Sequence, residues 1–217
     1  MKKFTKRKNQ RSPPKTNLEG QSLKLKGEYT MEIRKREDVL KHLYVGLQRK
    51  SSENIVKRTF MLDENIEKYL WIQGDVLGLK VNETLLKKFR IPIEFAWNMA
   101  TENTKKDAIL EPIDEILSAI TGITVEHLSQ LYVLTNTSGV RGAASIINDD
   151  ILITFAKQLG TNKIIAIPSS IHEFLLFPYN GEDIEEVTQI VKEVNRQEVD
   201  IKDQLADKAY IINLENY

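Results

Sequence analysis

From Leu131 to the C-terminus, short apolar runs alternate with turn residues and with two amphipathic stretches, and that order restricts the chain to a mainly antiparallel sheet backed by helices. Leu131 to Thr135 reads as a strand, Asn136 to Gly139 (NTSG) carries turn chemistry, and Val140 to Ile147 is expected to return as a second strand. Asn148 or Asp149 then caps a helix bearing Leu152, Phe155, Ala156 and Leu159, which stops at Gly160. Lys163 to Ile167 and His172 to Phe177 form a second hairpin around Pro168, Ser169, Ser170 and Ile171. A second helix turns Ile184, Val187, Ile190, Val191 and Val194 inward beside the first, and Ala209 to Leu214 closes the sheet. The tight connections join antiparallel pairs and the helices link one pair to the next. Residues 123–217 are thus expected to be an α+β domain of order β-β-α-β-β-α-β with helices on one face.

Residues 31–122 read as a mostly helical region. Val39, Leu40, Leu43, Val45 and Leu47 suggest a helix reaching about Lys50, and Asp75 to Val81 alternates like a strand. Pro92 opens a helix that places Ile93, Ala96, Trp97 and Ala100 on one face. Another, after Pro112, carries Ile113, Ile116, Leu117 and Ile120 inward and ends at Gly122.

Charge separates the first 30 residues from the rest. Nine of the 31 Lys and Arg residues but only two of the 31 acids precede Met31, which leaves 22 bases against 29 acids, a net of −7. A body that acidic repels phosphates, so nucleic-acid binding is not expected. Residues 1–30 have too few apolar groups to offset the entropy of ordering and read as a disordered basic segment. Lys26-Gly27-Glu28 can be encoded as AAA-GGA-GAA, which contains a ribosome-binding element upstream of the Met31 codon, so the native protein is expected to start at Met31.

Several classes of function drop out. The chain has no cysteine and three histidines, His42, His127 and His172, set far apart, so neither a metal site nor a cofactor is expected. Glu182, Glu185, Glu186 and Glu193 read as a solvated helix face, Trp71 and Trp97 as core, and no phosphate-cradling glycine loop precedes a helix. With no apolar leader and no run long enough to span a bilayer, the cytoplasm is the expected location and no membrane is involved.

Four segments occur together and in order: Leu131-Tyr132-Val133-Leu134-Thr135-Asn136, Gly142-Ala143-Ala144, Ile167 to Glu173 (IPSSIHE), and Val191 to Arg196 (VKEVNR). In these, from about Asp75 to the C-terminus, the chain resembles a bacterial family known as domain of unknown function 5688, and the residues before Asp75 depart from it. The resemblance implies a cytosolic protein of the Gram-positive anaerobes and brings no mechanism with it.

The one constellation with catalytic potential is Ser169-Ser170-Ile171-His172-Glu173. In an extended chain Ser170 and His172 share a face, as nucleophile and base, while Glu173 points away, so the orienting acid would come from elsewhere, such as Asp149 or Asp150. The plainer reading is a turn set by Pro168, with Ser169 and Ser170 bonding its backbone. If the two hairpin tips meet, Asn136, Ser138 and Arg141 would join Ser169, Ser170 and His172 in a small anion pocket. Two functions follow. The favoured one is a non-enzymatic binding or regulatory domain that self-associates or docks a protein partner through an exposed strand or helix face; the other is a hydrolase using Ser170 and His172.

Overall fold

The structure, a computed structural model, describes residues 23–24, 32–33, 35–74, 78–122, 124 and 130–215, the first two pairs by their backbone alone. Of the basic segment, only β1 (Leu23–Lys24) is described, paired antiparallel with β2 (Glu32–Ile33). The remainder of residues 1–30, Met31, and Asp75 to Leu77 of the expected strand lie outside the described residues.

Helix α1 (Arg36–Lys41) is short, and the Asp38 carboxylate accepts the Lys35 N–H at 3.0 Å at its start. The chain then enters a sheet where a helix to Lys50 is expected. Leu43, Val45 and Leu47 sit at alternate positions as well as on a rough helical face, and the alternation prevails, burying all three on one side of β3 (Leu43–Arg49). With β4 (Lys57–Phe60), β5 (Asp63–Ile72) and β6 (Leu79–Lys80) it forms an antiparallel sheet of order β3-β5-β4, in which β6 also pairs with β5. The region read as mostly helical therefore carries this sheet as well as helices.

Asn82 caps α2 (Glu83–Lys88) by accepting the Leu85 N–H at 2.9 Å. Helix α3 (Ile93–Asp107) lies against β3 through Ala96, Trp97 and Ala100, as the sequence spacing implies. It also covers the edge of the sheet. The Val45 N–H, on the outer strand, donates to Thr104 Oγ1 at 2.9 Å, and Asn103 Nδ2 donates to the carbonyls of Leu40 and Leu43.

The second sheet is antiparallel throughout, in the order β11-β9-β10-β8-β7. Its strands are β7 (Ala108–Pro112), β8 (Tyr132–Asn136), β9 (Lys163–Pro168), β10 (Phe174–Pro178) and β11 (Tyr210–Asn213). The fold is α+β, with two departures inside it: β7 comes from the region read as mostly helical, ahead of the expected 123–217 domain, and one expected strand is missing. Val140 to Ile147 does not return as a strand: Gly142–Ile147 is a 3₁₀ turn, and β8 pairs with β7 and β10 instead. The reason lies at Gly142, where a Cβ would stand 2.3 Å from Thr135 Oγ1, 2.5 Å from the Asn136 N and 2.8 Å from the His172 carbonyl. Only a glycine followed by the small Ala143 and Ala144 can be folded that tightly onto β8.

Three helices complete this half. Asn148 caps α5 (Asp149–Gln158), whose Phe155 meets Tyr132 edge-on at 4.8 Å. In α4 (Ile113–Thr121) the expected inward positions Leu117 and Ile120 face outward, the latter 77% exposed. In α6 (Ile184–Glu198) Val191 is buried, but Ile190 and Val194, expected inward, are exposed, the former 63%, and the helix does not pack along α5 as expected. That helix is tethered by polar bonds rather than a broad apolar stripe: Asn195 Nδ2 donates to the Ala206 carbonyl at 2.9 Å, and Thr188 Oγ1 accepts the Ala209 N–H. One hydrophobic cluster otherwise runs through both sheets, from Val39 to Leu214. No helix among the described residues is long and apolar enough to cross a membrane.

Candidate functional site

The two loops singled out by sequence do meet. Arg141 is held in the left-handed region (φ 55°, ψ 28°), a backbone state that costs a non-glycine residue energy and is retained where surrounding bonds enforce it. Its N–H donates to His172 Nδ1 at 3.1 Å, and its guanidinium donates to the Tyr69 hydroxyl at 2.6 Å while lying 5.7 Å from the Trp71 ring. Thr135 Oγ1 donates to the His172 carbonyl at 2.8 Å. Burial pushes the Tyr69 hydroxyl up, partly opposed by the Arg141 charge beside it. Arg141 therefore joins the loop of one sheet to β5 of the other.

The Ser170 and His172 side chains are not bonded to each other. Residues 169–173 form a turn, and β10 begins only at Phe174, so the shared face expected of an extended chain does not arise. The buried Ser170 hydroxyl donates to Glu173 Oε1 at 2.9 Å and accepts the His172 backbone N–H at 2.9 Å; it makes no bond to the imidazole. With Nδ1 accepting from Arg141, the ring proton sits on Nε2, whose acidic neighbour is Asp203, at 3.8 Å. Asp149 and Asp150 lie instead in the first turn of α5. Ser169 contributes its backbone N–H to the Ile167 carbonyl.

Asn136 is consumed by its own turn, its Oδ1 accepting from Val140 N–H and Ser138 Oγ and its Nδ2 donating to the Val140 carbonyl. The tips meet, and among the described residues the space lined by Asn136 and Arg141 amounts to about 10 Å³, too small for more than a water. Among the described residues no three His, Asp or Glu side chains gather as a metal-binding group.

A larger concavity than that between the tips lies between the two sheets. A cleft of about 450 Å³ has one wall from the apolar face of β3 and β5 with the β4–β5 turn, and another from the 3₁₀ turn, the start of α5 and β11; α3 forms its floor. Val45, Phe60, Trp97 and Leu152 are buried side chains that give it rigid apolar walls, and Met61 at the β4–β5 turn is almost wholly exposed. Its size and lining are those of a small-molecule site. Lys68 and Lys105 also line it, with Asp149. Burial and the repelling charge of Arg58, opposite it in the β4–β5 register, push the Lys68 ammonium down. The sequence held one signal of this: Ile66, Lys68, Leu70 and Ile72 alternate down β5, and the lysine interrupts an otherwise apolar face.

Residues 72–213, more than half of the chain, match the family described as Family of unknown function (DUF5688). The chain belongs to that family. Its matched segment starts at the last residue of β5 and ends at the last residue of β11, so it holds the five-stranded sheet and both loops of the Arg141 junction. The cleft is composite: the family segment supplies α3, the 3₁₀ turn, α5 and β11, and residues before it supply β3, β4 and most of β5. No curated protein and no solved structure matches the chain.

Proposed function

We propose that this protein is a cytosolic, non-enzymatic binding module whose ligand seat is the cleft between its two sheets. The observation that carries the reading is a cleft of about 450 Å³ with buried apolar walls, lying where both halves of the chain meet. The Ser170 hydroxyl is bonded to Glu173 and the Arg141 N–H occupies His172 Nδ1, so the residues that would make a hydrolase are engaged in holding a turn and a loop junction.

The neutral dye N-phenyl-1-naphthylamine, whose emission rises on entering an apolar site, tests the seat directly. One dye should bind per folded chain, and Thr101→Trp, which places a large ring in the cleft lining, should abolish the signal while the melting temperature is kept. Dye binding that survives Thr101→Trp in the folded protein places the seat elsewhere.

A further inference from the structure

Lys68 and Lys105 line an otherwise apolar cleft, and among the described residues neither side chain forms an ion pair or a hydrogen bond. Lys68 is the more constrained. It sits half-buried in the middle of β5, on the face that carries Ile66, Leu70 and Ile72, and its register partner on β4 is another cation, Arg58. Arg58 is already engaged: it pairs with Glu94 and stacks 4.7 Å from the Trp97 ring. The single carboxylate at the cleft, Asp149, bridges to neither lysine and lies at the exposed first turn of α5. A desolvated ammonium without a counter-ion is costly in an apolar wall, and an anion brought by a ligand removes that cost.

We infer that the cleft takes a small amphiphile with an apolar body and a single carboxylate head, the head seated on the ammonium groups of Lys68 and Lys105 and the body lying against Val45, Trp97 and Leu152. The inference rests on the cleft being the ligand seat and adds the class of ligand. At about 450 Å³ the cleft falls within the range of small-ligand sites and has room for an alkyl chain of about ten carbons.

Displacement of N-phenyl-1-naphthylamine by decanoate, decan-1-ol and decyltrimethylammonium, three ten-carbon chains that differ in head charge, decides it. Decanoate should displace the dye at a concentration about tenfold lower than decanol, with the cationic chain weakest. Lys68→Met keeps the apolar stem and removes the charge; it should erase the preference for decanoate, leave decanol unchanged, and raise the melting temperature of the free protein, because a desolvated and repelled ammonium has gone. Lys105→Met should reduce the preference without raising stability. Equal displacement by decanoate and decanol overturns the carboxylate inference while the binding seat stands. A lower melting temperature for Lys68→Met assigns that lysine a structural task and overturns it as well. Absence of any dye binding to the native protein removes the seat, and the inference with it.

Discussion

Asp63, on β5, is the carboxylate whose neutralisation should cost the fold most. Its Oδ2 accepts from the Tyr210 hydroxyl of β11 at 2.7 Å and from Lys208 Nζ at 2.9 Å, and its Oδ1 from the Asn65 N–H at 2.8 Å, so one side chain ties the two sheets together. Burial pushes its carboxyl up, but Lys208, the Asn65 N–H and Tyr210 outweigh this and hold it at about 2, below the ordinary 3.8. With the side chain only 4% exposed, that displacement corresponds to about 2 kcal/mol of stability. Lys208 is nearly half exposed and screened, so most of this belongs to Tyr210 and Asn65. The sign follows from the lowered value: the contribution is fully present above about pH 4 and is lost as the pH falls toward 2. Asp63→Asn should therefore lose about 2 kcal/mol at pH 6, and its urea-unfolding free energy should fall less steeply than the native protein's between pH 4 and 2. Tyr210→Phe, which deletes one donor to the carboxylate, should show an intermediate loss. Parallel pH profiles for native and Asp63→Asn proteins would refute the reasoning, since the fall would then belong to other carboxylates.

Phe155→Ala should cost about 3–5 kcal/mol in chemical unfolding, because the ring is buried against Tyr132, whereas the exposed Ile190→Ala should stay within about 0.5 kcal/mol. Gly142→Ala forces a methyl into backbone atoms of β8 and the His172 loop and should lower the melting temperature by several degrees, with amide exchange quickening first at Arg141 and Ala143. Ser170→Ala leaves the His172 N–H without its acceptor and should cost about 1–2 kcal/mol, which the same unfolding assay reads.

Most of the second sheet could be read from sequence because its strands are short apolar runs bounded by Pro, Ser, Asn and Gly, signals that act locally. The readings that failed depended on distant partners. Leu43, Val45 and Leu47 are compatible with two periods, and only pairing with Ile72, Leu70 and Lys68 settles which one applies. Val140 to Ile147 has the composition of a strand, but Gly142 lets it fold down onto Thr135 and the His172 carbonyl, a contact with a segment thirty residues away. Ile190 and Ile120 lie on apolar helical stripes that extend beyond what the fold covers. At the candidate site, the meeting of Arg141 and His172 was only a condition in the sequence, because nothing local fixes how two turns 31 residues apart are placed. Asp203 was not legible, because nothing in its turn distinguishes it from other solvated acids. The cleft has walls from five separate stretches of chain, so no local pattern announces it apart from the lysine within the apolar alternation of β5.

The family match begins at Ile72, within the ladder of the first sheet and not in a loop. A fragment cut at that boundary would keep β6 without the strand it pairs with, and α3 without the strand whose edge Thr104 covers. It would also leave Tyr210 without the carboxylate that receives its hydroxyl, and Arg141 without Tyr69. In this chain the matched segment is thus completed by contacts from residues that precede it. The shape of the cleft in this chain therefore depends on residues outside the family segment, because β3, β4 and most of β5 form one of its walls.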